Sequence, residues 1–170
     1  MKSIESLKKR LKAGNILTTQ NENGFINDVE FEWKNPATND DIEKFETNNK
    51  IILPCKFKEF LRISNGATLF KDVEYGQWGC KVLGLEEIME VTALVKGQGC
   101  ELKADWIVFA TWFGDTDVLV FDLSKKDFKD YILDGERCEA IEDWVNIKGN
   151  FEKWLDRLIV SQGAKYWRWY

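Results

Sequence analysis

The sequence predicts an α+β fold, in which a single domain is built on a mainly antiparallel β-sheet flanked by helices. Two observations predict it. Helical stripes of apolar residues occur near both ends of the chain, and the middle is rich in short runs of β-branched and aromatic residues. Most of these runs are joined by tight turns, which connect antiparallel neighbours. A chain of 170 residues is long enough for one such domain and too short for two.

The chain begins with an amphipathic segment. Three apolar residues spaced three and four apart within residues 1–14 predict a short helix packed on the edge of the domain. A helix on a membrane surface is the alternative, but three apolar residues give little area for it. Residues 25–33 alternate between a mostly apolar and a polar face and predict a strand. Thr38 then predicts the N-cap of a helix over 39–49, and Asp41 completes a capping box.

The most informative stretch is 53–70, because it contains a helix start, a buried helix face, a helix end and a strand start without a gap. Pro54 suits the first turn of a helix, where its missing N–H costs nothing. Phe60 and Leu61 belong to a narrow apolar face that must be buried. Asn65–Gly66 predicts the end of this helix, since both residues tolerate the left-handed conformation of a C-terminal cap.

The rest of the chain continues the alternation of strands and helices. The predicted elements are strands at 69–75 and 80–83, a helix at 85–95, a central strand pair at 106–112 and 117–123, a short strand at 131–133 ending in a hairpin turn at Asp134–Gly135, and a helix that starts at the N-cap Asn150 and runs through 159.

Five short motifs occur in order along the chain. The first two are P-A-T-x-x-D-I-x-x-F-E at 36–46 and L-P-x-x-F-K-E-F-L-x-x-S-N-G at 53–66. They are followed by W-I-V-F-A at 106–110, G-D-x-D-V-L-V-F-D-L at 114–123 and F-E-K-W-L at 151–155. In this order the motifs resemble the SUKH superfamily, which includes bacterial immunity proteins and fungal regulators of cell-wall synthesis, and the resemblance spans about 33–159. It implies the same α+β fold. The matching motif residues look architectural; they are Pro54, Phe60, Leu61, Asn65 and Gly66.

The composition argues against an enzyme. The chain has no histidine, which excludes the common catalytic triads and histidine-bound metals, and it has no P-loop or dinucleotide-binding motif. We therefore expect no catalytic residue, no cofactor and no metal. The alternative is a carboxylate site of Asp115, Asp117 and Asp122, but Asp122 is predicted to point to the opposite face of its strand. We interpret these residues as turn and edge residues.

The charge of the chain indicates which class of partner it can bind. A net charge of −5 and a pI near 5.0 argue against nucleic-acid binding, which depends on neutralising phosphates, and are compatible with a basic protein partner.

The sequence also indicates the compartment. No apolar run reaches the ~18 residues of a membrane span, and the N-terminal residues are too charged for a secretory signal, so we expect a cytoplasmic protein. The four cysteines have neither C-x-x-C spacing nor histidine partners, and we expect reduced thiols.

Two exposed-looking segments are candidates for partner contacts. Glu74, Tyr75 and Trp78 combine an acid and two aromatics in a glycine-bearing loop, a composition typical of interface hot spots. A Trp78 ring folded back over the sheet is an equal alternative. Asp115 in the next predicted turn and Asp117 at the start of the strand that follows complete this candidate set.

The C-terminal tail 162–170 carries four aromatic residues in its last five positions. It could stack on nucleic-acid bases, but it is too short to overcome the negative charge of the chain. We expect a strand or arm packed on its own domain, with a dimer contact as the second interpretation.

These observations lead to a non-enzymatic, cytosolic immunity protein that binds and neutralises a cognate toxin, for which the resemblance is the main support. The toxin is expected to be of nuclease type and basic, because an acidic inhibitor then gains association rate from electrostatic steering. The alternative is a regulatory or scaffold domain without a toxin. A small-molecule enzyme would need a pocket of convergent carboxylates. Monomer and weak homodimer both remain possible.

Overall fold

The computed structural model describes residues 1–21, 23–125, 130–136 and 139–169, and its centre is one sheet of eight strands. Each strand pairs with the next strand along the chain, and all of these pairings are antiparallel. Helices precede the sheet, interrupt it twice and follow it. The predicted α+β class with an antiparallel sheet flanked by helices is confirmed.

The strands, in chain order, are β1 (Ile16–Gln20), β2 (Ile26–Trp33), β3 (Ala67–Asp72), β4 (Cys80–Val82), β5 (Trp106–Trp112), β6 (Val118–Asp122), β7 (Ile132–Gly135) and β8 (Val145–Ile147). The helices are α1 (Lys2–Arg10), α2 (Asn39–Asn49), α3 (Cys55–Leu61), α4 (Leu85–Gly97) and α5 (Phe151–Val160). Single 3₁₀ turns occur at 123–125, 141–143 and 166–168.

The helix caps are formed largely as the sequence predicts. Thr38 accepts a hydrogen bond from the backbone N–H of Asp41, and the Asp41 carboxylate accepts one from the N–H of Thr38, so the capping box of α2 is complete. Hydrogen bonds from Thr38 lower the pKa of Asp41. Asn150 caps α5 through the N–H of Lys153. These contacts explain why both helices begin where the sequence indicates.

Two local predictions are wrong. Asp134–Gly135 is not a hairpin turn, because both residues lie in β7 and pair with β6. Glycine is needed there because a β-carbon on Gly135 would lie 2.8 Å from the ring of Trp144. Helix α3 ends at Leu61, before Asn65–Gly66. The chain leaves the helix early because the buried Ser64 hydroxyl bonds to the backbone of Lys34 and Gly66.

Aromatic rings form the centre of the core. Phe109 of β5 and Phe121 of β6 stack with their centroids 3.9 Å apart. Phe57 of α3 and Phe151 of α5 meet the Phe121 ring edge-on, with centroid distances of 5.1 and 6.2 Å. All four rings are fully buried. Since burial of one such side chain stabilises the fold by about 1.5–3 kcal/mol, this cluster fixes α3 and α5 on the sheet.

The segment after α3 anchors the start of α4. The Asn65 side-chain oxygen accepts a hydrogen bond from the N–H of Leu85 at 2.9 Å, and its amide donates to the Glu86 carboxylate. Gly66 has φ 93° and approaches the backbone of Gly84 so closely that a β-carbon would lie 2.8 Å from its nitrogen. Asn65 and Gly66 therefore join two parts of the fold, and they have an architectural role in the structure.

None of the helices in the described part of the chain is long and apolar enough to cross a membrane. Cys55, Cys80 and Cys100 are free thiols, and Cys138 lies outside the described residues. Burial raises the pKa of the Cys80 thiol, because the charged thiolate loses its hydration.

Candidate functional site

A groove of about 1090 Å³ opens at one end of the sheet. In an antiparallel meander, alternate connections lie at the same end, so the turns β1–β2, β3–β4 and β5–β6 meet there. We call this feature the end groove. Its walls are the β1–β2 turn, the β3–β4 loop 72–79 (the aromatic loop), the β5–β6 loop 112–115, and residues 162–169 after α5 (the C-terminal strap).

Exposed apolar side chains are concentrated in the end groove. The described part of the chain has ten large hydrophobic side chains that are exposed, and six of them line this groove. Monomeric proteins seldom expose a contiguous apolar patch without a function for it. The groove is therefore the strongest candidate for a binding surface. The six residues are Phe25, Ile26, Val73, Tyr75, Trp78 and Trp169.

The aromatic loop holds Trp78 in solvent at the expense of backbone strain. Trp78 has φ 59°, a left-handed conformation that a bulky residue rarely adopts, and its side chain is 61% exposed. Its N–H donates to the carbonyl of Phe113 at 3.0 Å, which ties the loop to the neighbouring β5–β6 loop. The Tyr75 ring packs edge-on against Trp78 at 5.8 Å. The ring does not fold back over the sheet, so that alternative is wrong.

Asp72 forms the base of the aromatic loop. One carboxylate oxygen accepts a hydrogen bond from the N–H of Tyr75 at 2.6 Å, and the other accepts one from the Asn27 side chain at 3.2 Å. Asp72 is only 4% exposed. Glu74 is exposed beside it and accepts a hydrogen bond from the Tyr75 hydroxyl, which raises the pKa of Tyr75. The loop thus has one exposed carboxylate, Glu74, and one buried carboxylate, Asp72, next to two aromatic rings.

The C-terminal strap is bound to the sheet by ion pairs. Lys165 contacts both Asp115, at 2.7 Å, and the buried Asp117. Arg168 pairs with Asp117, at 2.8 Å, and with the buried Asp134. Hydrogen bonds and attraction from these carboxylates outweigh desolvation and raise the pKa of the Arg168 guanidinium.

A further hydrogen bond and close packing of Gly163 on Phe70 reinforce the strap. The Trp167 indole N–H donates to Asp134 at 2.8 Å, and Gly163 lies so close to the Phe70 ring that a β-carbon would come within 2.7 Å of it. The tail is therefore an arm packed on its own domain, as predicted, and its centre is a 3₁₀ turn. Tyr170 lies outside the described residues.

The five predicted contact residues occupy different environments. Glu74, Tyr75 and Trp78 all line the end groove and are exposed. Asp115 also lines it, but its carboxylate is paired with Lys165. Asp117 is 5% exposed beneath the strap, so a partner can reach it only if the strap moves. The three loop residues lie together at the groove, whereas the two aspartates bind the cations of the strap.

Asp122, the third residue of the possible carboxylate site, is bonded to Ser124 and Lys125 instead. Among the residues that the structure describes, no group of three or more His, Cys, Asp or Glu side chains is arranged to hold a metal ion.

Phe25, Ile26, Val73 and Asp72 are groove residues that sequence reasoning missed. The apolar pair Phe25–Ile26 was interpreted as the start of a strand, since adjacent apolar residues belong to opposite faces there. Both side chains are in fact exposed, at 68% and 72%. A signal existed, because apolar residues at a strand end beside an Asn- and Gly-rich turn have little sheet to cover them. Only the fold shows which other loops they meet.

Comparison with known proteins agrees with this architecture. Residues 36–157 match the SMI1 / KNR4 family (SUKH-1). The uncharacterized protein YnaB of Bacillus subtilis (strain 168) is 29% identical over 142 residues, which cover 84% of this chain and 90% of YnaB. The uncharacterized protein YobM of the same organism is 27% identical over 146 residues, which cover 78% of this chain and 71% of YobM. The family match includes the 53–66 motif and six of the eight strands, from β3 to β8. The chain therefore belongs to the SMI1 / KNR4 family (SUKH-1).

Proposed function

We propose that this protein is a cytosolic immunity protein without catalytic activity, which binds a cognate toxin protein through the end groove and blocks it. The observation that carries the proposal is the concentration of six exposed large hydrophobic side chains on this one groove, with Trp78 held outward by a left-handed backbone. Strained backbone and exposed aromatic rings persist where function requires them. Membership of a family that includes immunity proteins supports the same interpretation.

The chemistry of the groove suits a protein partner better than a reaction. Tyr75 and Trp78 offer large, rigid contact areas of the kind that dominate binding energies at protein interfaces. The carboxylates Asp115 and Asp117 are bonded to Lys165, which leaves them poorly placed as free acids or bases. The groove therefore resembles the apolar centre of an interface with a charged rim.

The net charge of −5 suggests the class of toxin. Protein domains that cleave nucleic acids tend to be basic, because they bind phosphates. An acidic inhibitor associates rapidly with such a surface, and its association rate falls with salt. We therefore propose a basic, nuclease-type toxin domain as the partner.

An immunity protein should be encoded beside the gene of its toxin, so the test is co-expression with the C-terminal domain of the neighbouring gene's product. The wild-type chain should rescue growth and form a stoichiometric complex that salt weakens. Trp78→Ala and Tyr75→Ala should lose rescue. Leu94→Ala should retain it, because Leu94 is also exposed, at 57%, but lies on α4 outside the groove.

Rescue that survives both groove substitutions would show that another surface binds the toxin. Absence of both rescue and complex with the wild-type chain would favour the alternative, a regulatory or scaffold domain. Circular dichroism of each variant should accompany the assay, so that loss of rescue is not attributed to loss of folding.

A further inference from the structure

Four aspartates are buried in the described part of the chain, and three of them have a cation partner. Asp117 contacts Lys165 and Arg168, Asp134 contacts Arg168, and Asp122 lies 3.3 Å from Lys125. Buried charges in proteins are normally compensated in this way, since desolvation of an isolated carboxylate is costly. These three residues show how the fold normally compensates a buried aspartate.

Asp72 is the exception. It is as buried as the others, at 4% exposure, yet within the described residues no lysine or arginine nitrogen lies within 4.0 Å of its carboxylate. The adjacent Lys71 is directed to Glu30, at 2.8 Å. The Asp72 oxygens receive hydrogen bonds from Tyr75 and Asn27, which satisfy two lone pairs but supply no positive charge.

The position of Asp72 indicates where a counter-charge could enter. Asp72 lines the end groove, directly under the loop that carries Glu74, Tyr75 and Trp78. Glu74 adds a second negative charge there, also without a lysine or arginine within 4.0 Å in the described chain. The two cations that line the groove, Lys165 and Arg168, are bonded to the carboxylates of the strap and its neighbours. The aromatic loop therefore has an unmatched negative charge.

We propose that the end groove takes an arginine side chain of the toxin, which lies against Tyr75 and Trp78, pairs with the exposed carboxylate of Glu74 and offsets the charge of Asp72 buried beneath the loop; this inference rests on the proposed function. Arginine fits better than lysine for two reasons. Its planar guanidinium stacks on exposed aromatic faces, and it pairs with carboxylates through several fixed donors. An apolar neighbour of that arginine would contact Phe25, Ile26 or Val73 on the adjacent wall.

The experiment uses the full chain and two dipeptide probes that differ in charge alone. Acetyl-Leu-Arg-amide carries the guanidinium, and acetyl-Leu-citrulline-amide replaces it by a neutral urea group of the same shape. Binding is followed by NMR at the Trp78 indole N–H, whose resonance is identified by its loss in Trp78→Phe. Titration to about 20 mM detects millimolar dissociation constants.

The arginine probe should bind about five- to ten-fold more tightly than the citrulline probe at low salt, in line with one cation–π contact and one partly screened ion pair. Glu74→Gln and Asp72→Asn should each reduce this ratio, and high salt should reduce it as well. Asn at position 72 keeps the side-chain oxygen that accepts the Tyr75 N–H, so the loop should stay folded. Glu142→Gln removes an exposed charge that does not line the groove; it is the matched control and should leave the ratio unchanged.

Equal affinity of the two probes, or no shift of the Trp78 signal with either, would overturn the inference. So would a ratio that is the same in wild type, Glu74→Gln and Asp72→Asn. These outcomes are separate from the rescue assay, because loss of rescue in Trp78→Ala would still support the groove as the toxin site. Binding by a second copy of this chain would appear as concentration-dependent broadening of the Trp78 signal without probe, and would also overturn the assignment to a toxin arginine.

Discussion

The aromatic loop and the C-terminal strap both border the end groove, and both mix aromatic with charged residues, yet they are bonded in opposite ways. In the strap, Lys165 and Arg168 are tied to buried carboxylates, and the Trp167 indole donates a hydrogen bond to Asp134. In the loop, Trp78 and Tyr75 are more than 60% exposed, and the buried Asp72 has no lysine or arginine within 4.0 Å in the described chain.

This difference separates a structural segment from a binding segment. The strap uses the charges of Lys165 and Arg168 and the indole N–H of Trp167 internally, so its removal should unfold or loosen the protein. The loop keeps its groups available and even carries left-handed strain to do so, so changes there should affect binding far more than folding. Aromatic composition alone is therefore a poor guide to function. Whether the rings and charges are bonded within the chain or left available distinguishes a structural segment from a binding segment.

Removal of the strap should have the largest effect on stability. A chain that ends at Ala164 lacks Lys165 and Arg168, so Asp117 and Asp134 lose their cations, and the surface that the strap covers becomes exposed. We expect a loss of about 3–5 kcal/mol in free energy of unfolding. Urea denaturation measures this loss. The matched control adds Asp117→Asn and Asp134→Asn to the truncated chain and should recover part of it, since two carboxylates that both contacted Arg168 then no longer repel each other. A truncated chain as stable as the full chain would show that the strap is dispensable.

Replacement of Trp78 by alanine should have the largest effect on binding. We expect a loss of about 2–4 kcal/mol in affinity for the toxin domain, roughly 30- to 1,000-fold in Kd, because central tryptophans dominate interface energies. Calorimetric titration of the purified domains measures it. Arg168→Met should show the reverse pattern, in which the free energy of unfolding falls more than the affinity for the toxin domain. Equal effects of the two substitutions on Kd and on unfolding would remove the distinction between loop and strap.

Trp78→Gly sharpens the comparison, because it should leave the free energy of unfolding within about 1 kcal/mol of wild type. Glycine adopts φ 59° without strain, which offsets the lost packing and the greater entropy of the unfolded chain. Phe70→Gly is the control. Phe70 also has a positive φ, of 56°, but its ring is only 3% exposed, so its loss should cost about 3–5 kcal/mol. Thermal unfolding of both variants measures these two changes in stability.

Asp115→Asn should have the smallest effect, which is a slightly reduced loss of stability in acid. Burial alone would raise the pKa of Asp115, but hydrogen bonds from Lys165 and the backbone lower it. A folded-state pKa below the unfolded value of about 3.9 stabilises the protein fully above about pH 4, and this stabilisation is lost as the pH falls.

The asparagine variant should therefore lose less stability than wild type between about pH 5 and pH 2. We expect a difference well below about 1 kcal/mol, because 41% exposure of the side chain screens the ion pair. Denaturation series at several pH values measure it, with Asp156→Asn on the exposed surface as control. A steeper acid loss in Asp115→Asn would contradict the sign.

The sequence predicts the central elements well because their signals are local. Strands β5 and β6 are continuous apolar runs, and α2 and α5 have N-caps that can be recognised within four residues. Strands β1 and β8 escaped prediction. The sequence ILTTQ has weak alternation, and VNI has three residues, so both depend on pairing with a partner strand to become strands.

The candidate site was predictable only in part. Glu74, Tyr75 and Trp78 are conspicuous in one loop, but their neighbours Phe25 and Trp169 come from distant parts of the chain. The burial of Asp117 depends on Lys165, 48 residues away. Long-range pairings of this kind leave no periodicity in the sequence, and so the division between loop and strap became visible only in the fold.

The assignment of the end groove as the binding surface is tested by hydrogen–deuterium exchange of the chain alone and in complex with the C-terminal domain of the neighbouring gene's product. We predict new protection in peptides that cover 21–27 and 72–79, with exchange in α4 and β8 unchanged. The strap should be protected already in the free chain, because its contacts are internal. Protection confined to α4 or to the β8 edge, with the aromatic loop unchanged, would contradict the assignment of the end groove as the binding surface.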